Sequence, residues 1–161
     1  MTPSARVQTA IEILDEILLA ARSNGPSADN VIAQEFRTRR YAGSKDKRAI
    51  RDLVYRAVRA FAMPPASGRA AMLGLNDPEI TAAFGAGGYG PPAISDDEPK
   101  PEPTSDTEWM RAEFLPFVDA AEQAGLLARA PFDLRVNRLK VSVAAVQAEL
   151  GGEAVPHVPD A

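Results

Sequence analysis

Between Ser44 and Pro64 the chain reads "SKDKRAIRDLVYRAVRAFAMP". Ile50, Leu53, Val54, Ala57, Val58 and Phe61 recur at helical spacing and form one wide apolar face. At about 100° per residue, Lys45, Arg48, Asp52, Arg56 and Arg59 turn to the opposite side. The segment is therefore a helix with one side in a core, and such a side needs further helices to cover it. Ser44 is the candidate N-cap, Asp46 lies in the first turn where the helix dipole favours an anion, and "MPP" (63–65) ends the helix.

The flanking sequence supplies those helices. A first one runs from about Ser4 to Ser23, with Val7, Ile11, Leu14, Leu18 and Ala21 on its apolar side and Ile17 beside them. Ser4 suits its cap; Asn24-Gly25 tolerates a left-handed conformation and Pro26 cannot continue a helix. A second helix starts at Ser27, buries Val31, Ile32 and Phe36, and ends near "RTRRYAGS". Two short helices are expected around Arg69–Leu75 and Asp77–Phe84, the latter with Pro78 in its first turn. Residues 85–106 hold four glycines and five prolines and read as a flexible acidic loop over 86–106. Helix resumes at Ser105 or Asp106, where Ser105 and Glu108 fit a capping box, and continues through Trp109, Phe114, Leu115 and Val118 to Leu127.

At Pro131 the pattern changes. "FDLRV" alternates like a strand, "SVAAVQAELGG" (142–152) is a short helix capped by Ser142, and "EAVPHV" suits the start of another strand. Two strands bury too little to fold alone. The expected fold is mainly α: a helical bundle over 1–130, then an incomplete α/β segment over 131–161. Hydrophobic residues make up 45% of the 161, enough for a core, so global disorder is not expected.

Several chemistries drop out. There is no cysteine, which removes disulfides, thiolate zinc sites and cysteine nucleophiles from this chain and makes a reducing cytoplasm the expected location. His157 is the sole histidine and has no second histidine or cysteine with which to share a metal, so no metal is expected. The N-terminus is not read as a signal peptide, because Glu12, Asp15 and Glu16 interrupt its apolar run, and no segment is apolar enough to span a membrane. "GAGGYG" (85–90) matches the dinucleotide fingerprint in letters only: a helix precedes it where a strand is needed, and Pro91-Pro92 follow. The carboxylates of "SDDEPKPEPTSDTE" read as a solvated acidic stretch without the scaffold a metal site needs.

The charge distribution is more telling than the net −4. Residues 37–59 carry Arg37, Arg39, Arg40, Lys45, Lys47, Arg48, Arg51, Arg56 and Arg59 against Asp46 and Asp52, a local excess of seven. Pairs at i, i+4 such as Arg48–Asp52–Arg56 neutralise only part of this. Cations so concentrated repel one another unless an anionic partner screens them, and the planar fork of arginine suits phosphate. Nucleic-acid contact is the expectation. A smaller cluster, Arg135, Asn137, Arg138 and Lys140 in "LRVNRLK", allows two readings: an edge strand guarded by charge with Asn137 as a turn residue, or a second contact to nucleic acid.

"LRVNRLK" followed by "SVAAVQAEL" resembles a segment of the Sun/Fmu (RsmB-type) RNA methyltransferases, which make 5-methylcytosine. "RYAGSKDKRAIRDLVYRAVRAF" (40–61), "GRAAMLGL" (68–75) and "FGAGGYGPPAIS" (84–95) are similar to that family's N-terminal region, and the likeness extends over most of residues 4–156. The resemblance implies a NusB-like RNA-binding bundle, an rRNA partner, and a small α/β domain leading into a catalytic domain that uses S-adenosylmethionine; a monomer is expected. In the family two cysteines of that domain do the chemistry, so this chain is expected to be the RNA-recognising portion, with no cofactor of its own. A stand-alone NusB-like RNA-binding adaptor is the alternative.

Overall fold

In the computed structural model, which describes residues 1–104, 113, 118–127 and 134–151, the chain divides into two units, Met1–Leu127 and Ala128–Ala161. It is mainly helical, and no strand forms among the described residues. No helix among them is long and apolar enough to cross a membrane.

In the first unit, α1 spans Pro3–Arg22. Its cap is Thr2 rather than Ser4: the Thr2 hydroxyl accepts the Ala5 N–H at 3.2 Å, and Pro3 occupies the first helical turn, where its missing N–H costs nothing. Val7, Ile11, Leu14 and Leu18 are buried as their spacing predicts, but so are Ala10, Ile13 and Ala20, while Ala21 is exposed. The reason is tertiary. Helix α1 packs against α2 (Ala28–Thr38), α3 (Ser44–Ala60) and α4 (Gly68–Gly74), so one apolar stripe would not suffice. Asn24, with φ of 51°, makes the left-handed stop after α1.

Helix α2 buries Val31, Ile32 and Phe36. Helix α3 buries Ile50, Val54 and Ala57, and Phe61 just beyond it is also buried. Leu53 is only partly covered and Val58 is 40% exposed, so the apolar face is narrower than its spacing predicts. Helix α4 is buried along most of its length, with Met72 and Leu73 in the core and Gly68, Ala70, Ala71 and Gly74 beside them. A Cβ on Gly68 would collide with the Ile11 carbonyl oxygen and lie 2.8 Å from the Leu14 Cβ, which makes that glycine a condition of α1–α4 contact. Helix α5, Pro78–Thr81, is capped by Asp77, whose carboxylate accepts from the N–H groups of Glu79 and Ile80.

Residues 85–104 form no helix, yet they follow the helical unit instead of standing free. Thr104 makes an isolated parallel bridge with Phe61. The Arg69 guanidinium grips Glu98 through Nε and Nη2, both at 2.7 Å, and also donates to the carbonyls of Pro92 and Ala93. Hydrogen bonds from Arg69, then from the Ser95 N–H, hold the Glu98 carboxyl down at about 2. Glu98 therefore departs from the solvated acidic stretch expected of it, because an arginine three-dimensionally adjacent to it is far away in sequence. Helix α6, Ala120–Leu127, starts at a reciprocal cap: Asp119 accepts from Ala121 and Glu122, and Glu122 accepts from Asp119. The expected helix start at Ser105, with Trp109, Phe114 and Leu115, lies outside the described residues.

In the second unit, Leu134–Val136, the described part of "FDLRV", forms no strand and pairs with none among the described residues. Helix α7, Val143–Leu150, is capped by Ser142 as its sequence predicts and ends at Gly151 with φ of 70°. None of its residues is buried. "EAVPHV", including His157, lies outside the described residues.

Candidate nucleic-acid interface

The apolar side of α3 faces α1, so its polar side must face water. Lys45, Arg48, Asp52, Arg56 and Arg59 are exposed there, as the periodicity predicts. Lys45 and Arg59 stand roughly 20 Å apart along the helix axis, at about 1.5 Å per residue. Arg37 is exposed on the last turn of α2 and Arg40 on the turn that follows.

Tertiary structure divides these cations into two classes. Arg39, at the C-cap of α2, is an internal strut: its guanidinium meets Glu35 on α2 and, at 2.8 Å, Glu12 on α1. Arg56 pairs with Asp77, the cap of α5, instead of with Asp52, and this contact holds the Asp77 carboxyl below its ordinary value. Asp46 is also taken, by Arg6 at 2.9 Å and by the terminal amine, and its carboxyl is held low chiefly by the Arg6 hydrogen bond. Lys47 and Arg51 lie over the Phe36 ring at 5.8 and 5.7 Å from its centroid. Lys47 also donates to the Phe36 carbonyl at 3.4 Å, one of the acceptors left open at the end of α2. Their stems cover an apolar ring while their charges stay without a carboxylate.

The side chains of Arg37, Arg40, Lys45, Arg48 and Arg59 make no ion pair or hydrogen bond among the described residues. Of the nine cations in 37–59, seven thus lack a carboxylate partner among the described residues, with only Asp52 to offset them locally. Glu12 and Asp77 come from outside the motif, and their pairing was not legible in local spacing, whereas Glu35 stands at i, i+4 to Arg39. Such an array can hold a chain of phosphates through charge-assisted bonds.

The second cluster lies in the other unit. Arg135, Arg138 and Lys140 are exposed around a turn in which the Asn137 side chain accepts the Leu139 N–H at 3.1 Å and its carbonyl accepts from Lys140 and Val141. Asn137 is thus occupied in shaping the turn.

No set of three histidine or carboxylate side chains suited to a metal ion occurs among the described residues. "GAGGYG" leads away from α5 and back on itself, the Gly85 N–H bonding the Pro91 carbonyl at 2.9 Å, so it presents neither the strand nor the helix start that a dinucleotide pyrophosphate requires. A shallow cleft of about 250 Å³ between α1 and α2 is lined by Glu16, Leu19, Gln34 and Glu35 among others, and its two carboxylates oppose a phosphate-bearing ligand. No protein-family model, curated protein or solved structure matches this chain.

Proposed function

We propose that the Met1–Leu127 unit binds RNA through the backbone phosphates, as the rRNA-recognising N-terminal portion of an S-adenosylmethionine-dependent (cytosine-5-)-methyltransferase of the Sun/Fmu type. The observation that carries the RNA part is the set of exposed cations Arg37, Arg40, Lys45, Arg48 and Arg59, free of carboxylate partners and fixed on a packed helix and its preceding turn. The methyltransferase part rests on the sequence resemblance, and the mainly helical unit suits its NusB-like bundle. S-adenosylmethionine and the covalent chemistry belong in this reading to a catalytic domain, since the chain has no cysteine. Residues 135–140 would add a second, weaker electrostatic contact.

The test is a salt titration of RNA binding. Single-stranded sites lose affinity with a log–log slope of about −0.7 per phosphate contact. Arg48→Ala is expected to weaken binding and make the slope shallower by one such step. Arg39→Ala is expected to lower thermal stability and leave the slope alone. An unchanged slope in Arg48→Ala, Arg40→Ala and Arg59→Ala alike removes the phosphate assignment. A reading frame that continues past Ala161 into a sheet with cysteine motifs supports the methyltransferase; a stop there favours the RNA-binding adaptor.

A further inference from the structure

Tyr41 lies between the free cations along the chain, and its side chain makes no hydrogen bond, ion pair or cation–ring contact among the described residues. Its residue is 69% exposed, and its hydroxyl makes no hydrogen bond among the described residues. The backbone on either side is nevertheless fixed: the Arg40 N–H bonds Thr38, the Ala42 N–H bonds Arg39, and Ala42 is buried. Arg37 and Arg40 precede the ring and Lys45 and Arg48 follow it, all exposed and without carboxylates. The other tyrosines differ. Tyr55 donates to Asp29, and Tyr89, 89% exposed, lies in the uncharged glycine loop.

We infer that Tyr41 is a stacking platform for an unpaired base, and that the ligand class of this surface is single-stranded RNA. The inference rests on the phosphate-binding reading above and adds a requirement to it. Phosphates held by the flanking cations would bring a base to the phenol ring, and every base has a flat face to offer. Bases in an A-form duplex are already stacked and paired, so a duplex can use the cations but not the ring.

The test measures anisotropy of a labelled mixed-sequence single strand and of a duplex of equal length, with the full chain. Tyr41→Ala is expected to weaken single-strand binding by roughly 5- to 100-fold, the range that base–aromatic stacking carries, with the salt slope unchanged because tyrosine displaces no counterion. Tyr41→Leu, which keeps apolar bulk without a flat ring, should behave like alanine and guards against a folding defect. Tyr41→Trp should bind at least as well as the unaltered chain. Tyr89→Ala should change nothing, and duplex affinity should ignore Tyr41. If Tyr41→Ala and Tyr41→Leu bind the single strand normally while Arg48→Ala still weakens it, the stacking role is overturned and phosphate binding survives. If neither RNA binds at low salt, both fall.

Discussion

Arg48 and Arg138 are both exposed arginines in basic runs, yet their backbones are defined in different ways. Arg48 rides on α3, whose Ile50 and Val54 are fully buried against the rest of the helical unit. Arg138 sits in a turn between the exposed Leu134 and Val141, before a helix that buries none of its residues. A side chain on a packed helix loses little further freedom when a ligand arrives. One on a turn held by a few local hydrogen bonds must be ordered during binding, and that entropy offsets the electrostatic gain. Equal charge therefore does not mean equal contribution.

The contrast can be broken first at the core. Ile50→Ala should destabilise the first unit by about 2–5 kcal/mol through the cavity it leaves, and thermal melts by circular dichroism should show RNA binding disappear with α3. Leu150→Ala, at a residue 59% exposed on α7, should stay within about 0.5 kcal/mol. Comparable losses for the two would show that the second unit has a core of its own. At the surface, Arg48→Ala should reduce affinity by more than Arg138→Ala in the same salt, and crosslinks of Arg138→Ala should diminish only around 134–141. If Arg138→Ala has the larger effect, preorganisation is not what separates the clusters.

A smaller effect concerns the Arg69–Glu98 clasp. The Glu98 carboxyl falls from its ordinary 4.5 to about 2 in the folded chain. A carboxyl depressed in this way adds stability above its unfolded value, and the contribution fades as pH drops from about 4.5 through about 2. Melting temperatures of Glu98→Gln should lie below those of the unaltered chain at neutral pH and converge with them near pH 2. Curves that stay parallel across that window would detach Glu98 from the hold on residues 91–98.

Much of the helical unit was legible because its signals are local. The buried Ile50, Val54 and Ala57 of α3, the stop at Asn24-Gly25 and, in the second unit, the Ser142 cap each involve residues within a turn or two of one another and appear where their chemistry puts them; the α3 cap does not, since Gly43 holds that position and Ser44 is the first helical residue with no capping bond. The errors at Ser4 and Val58 are also local in cause: two hydroxyls compete for one cap, and a residue at the edge of an apolar face is covered only if a neighbour reaches it. The candidate site was half legible. Exposure of the α3 cations follows from periodicity, but nothing near Arg39 or Arg56 announces Glu12 or Asp77. Tyr41, beside two arginines in "TRRY", carried a signal that charge counting passes over.

By itself the sequence determined that this chain is mainly helical, that residues 37–59 concentrate positive charge, and that cysteine chemistry is closed to it. Those properties depend on spacing and composition, which any fold must respect. Only the tertiary structure decided which cations are consumed inside the molecule, that Glu98 belongs to Arg69, and that α1 is covered by three helices. Ion pairs and packing join residues far apart along the chain, and their partners are selected by the fold as a whole.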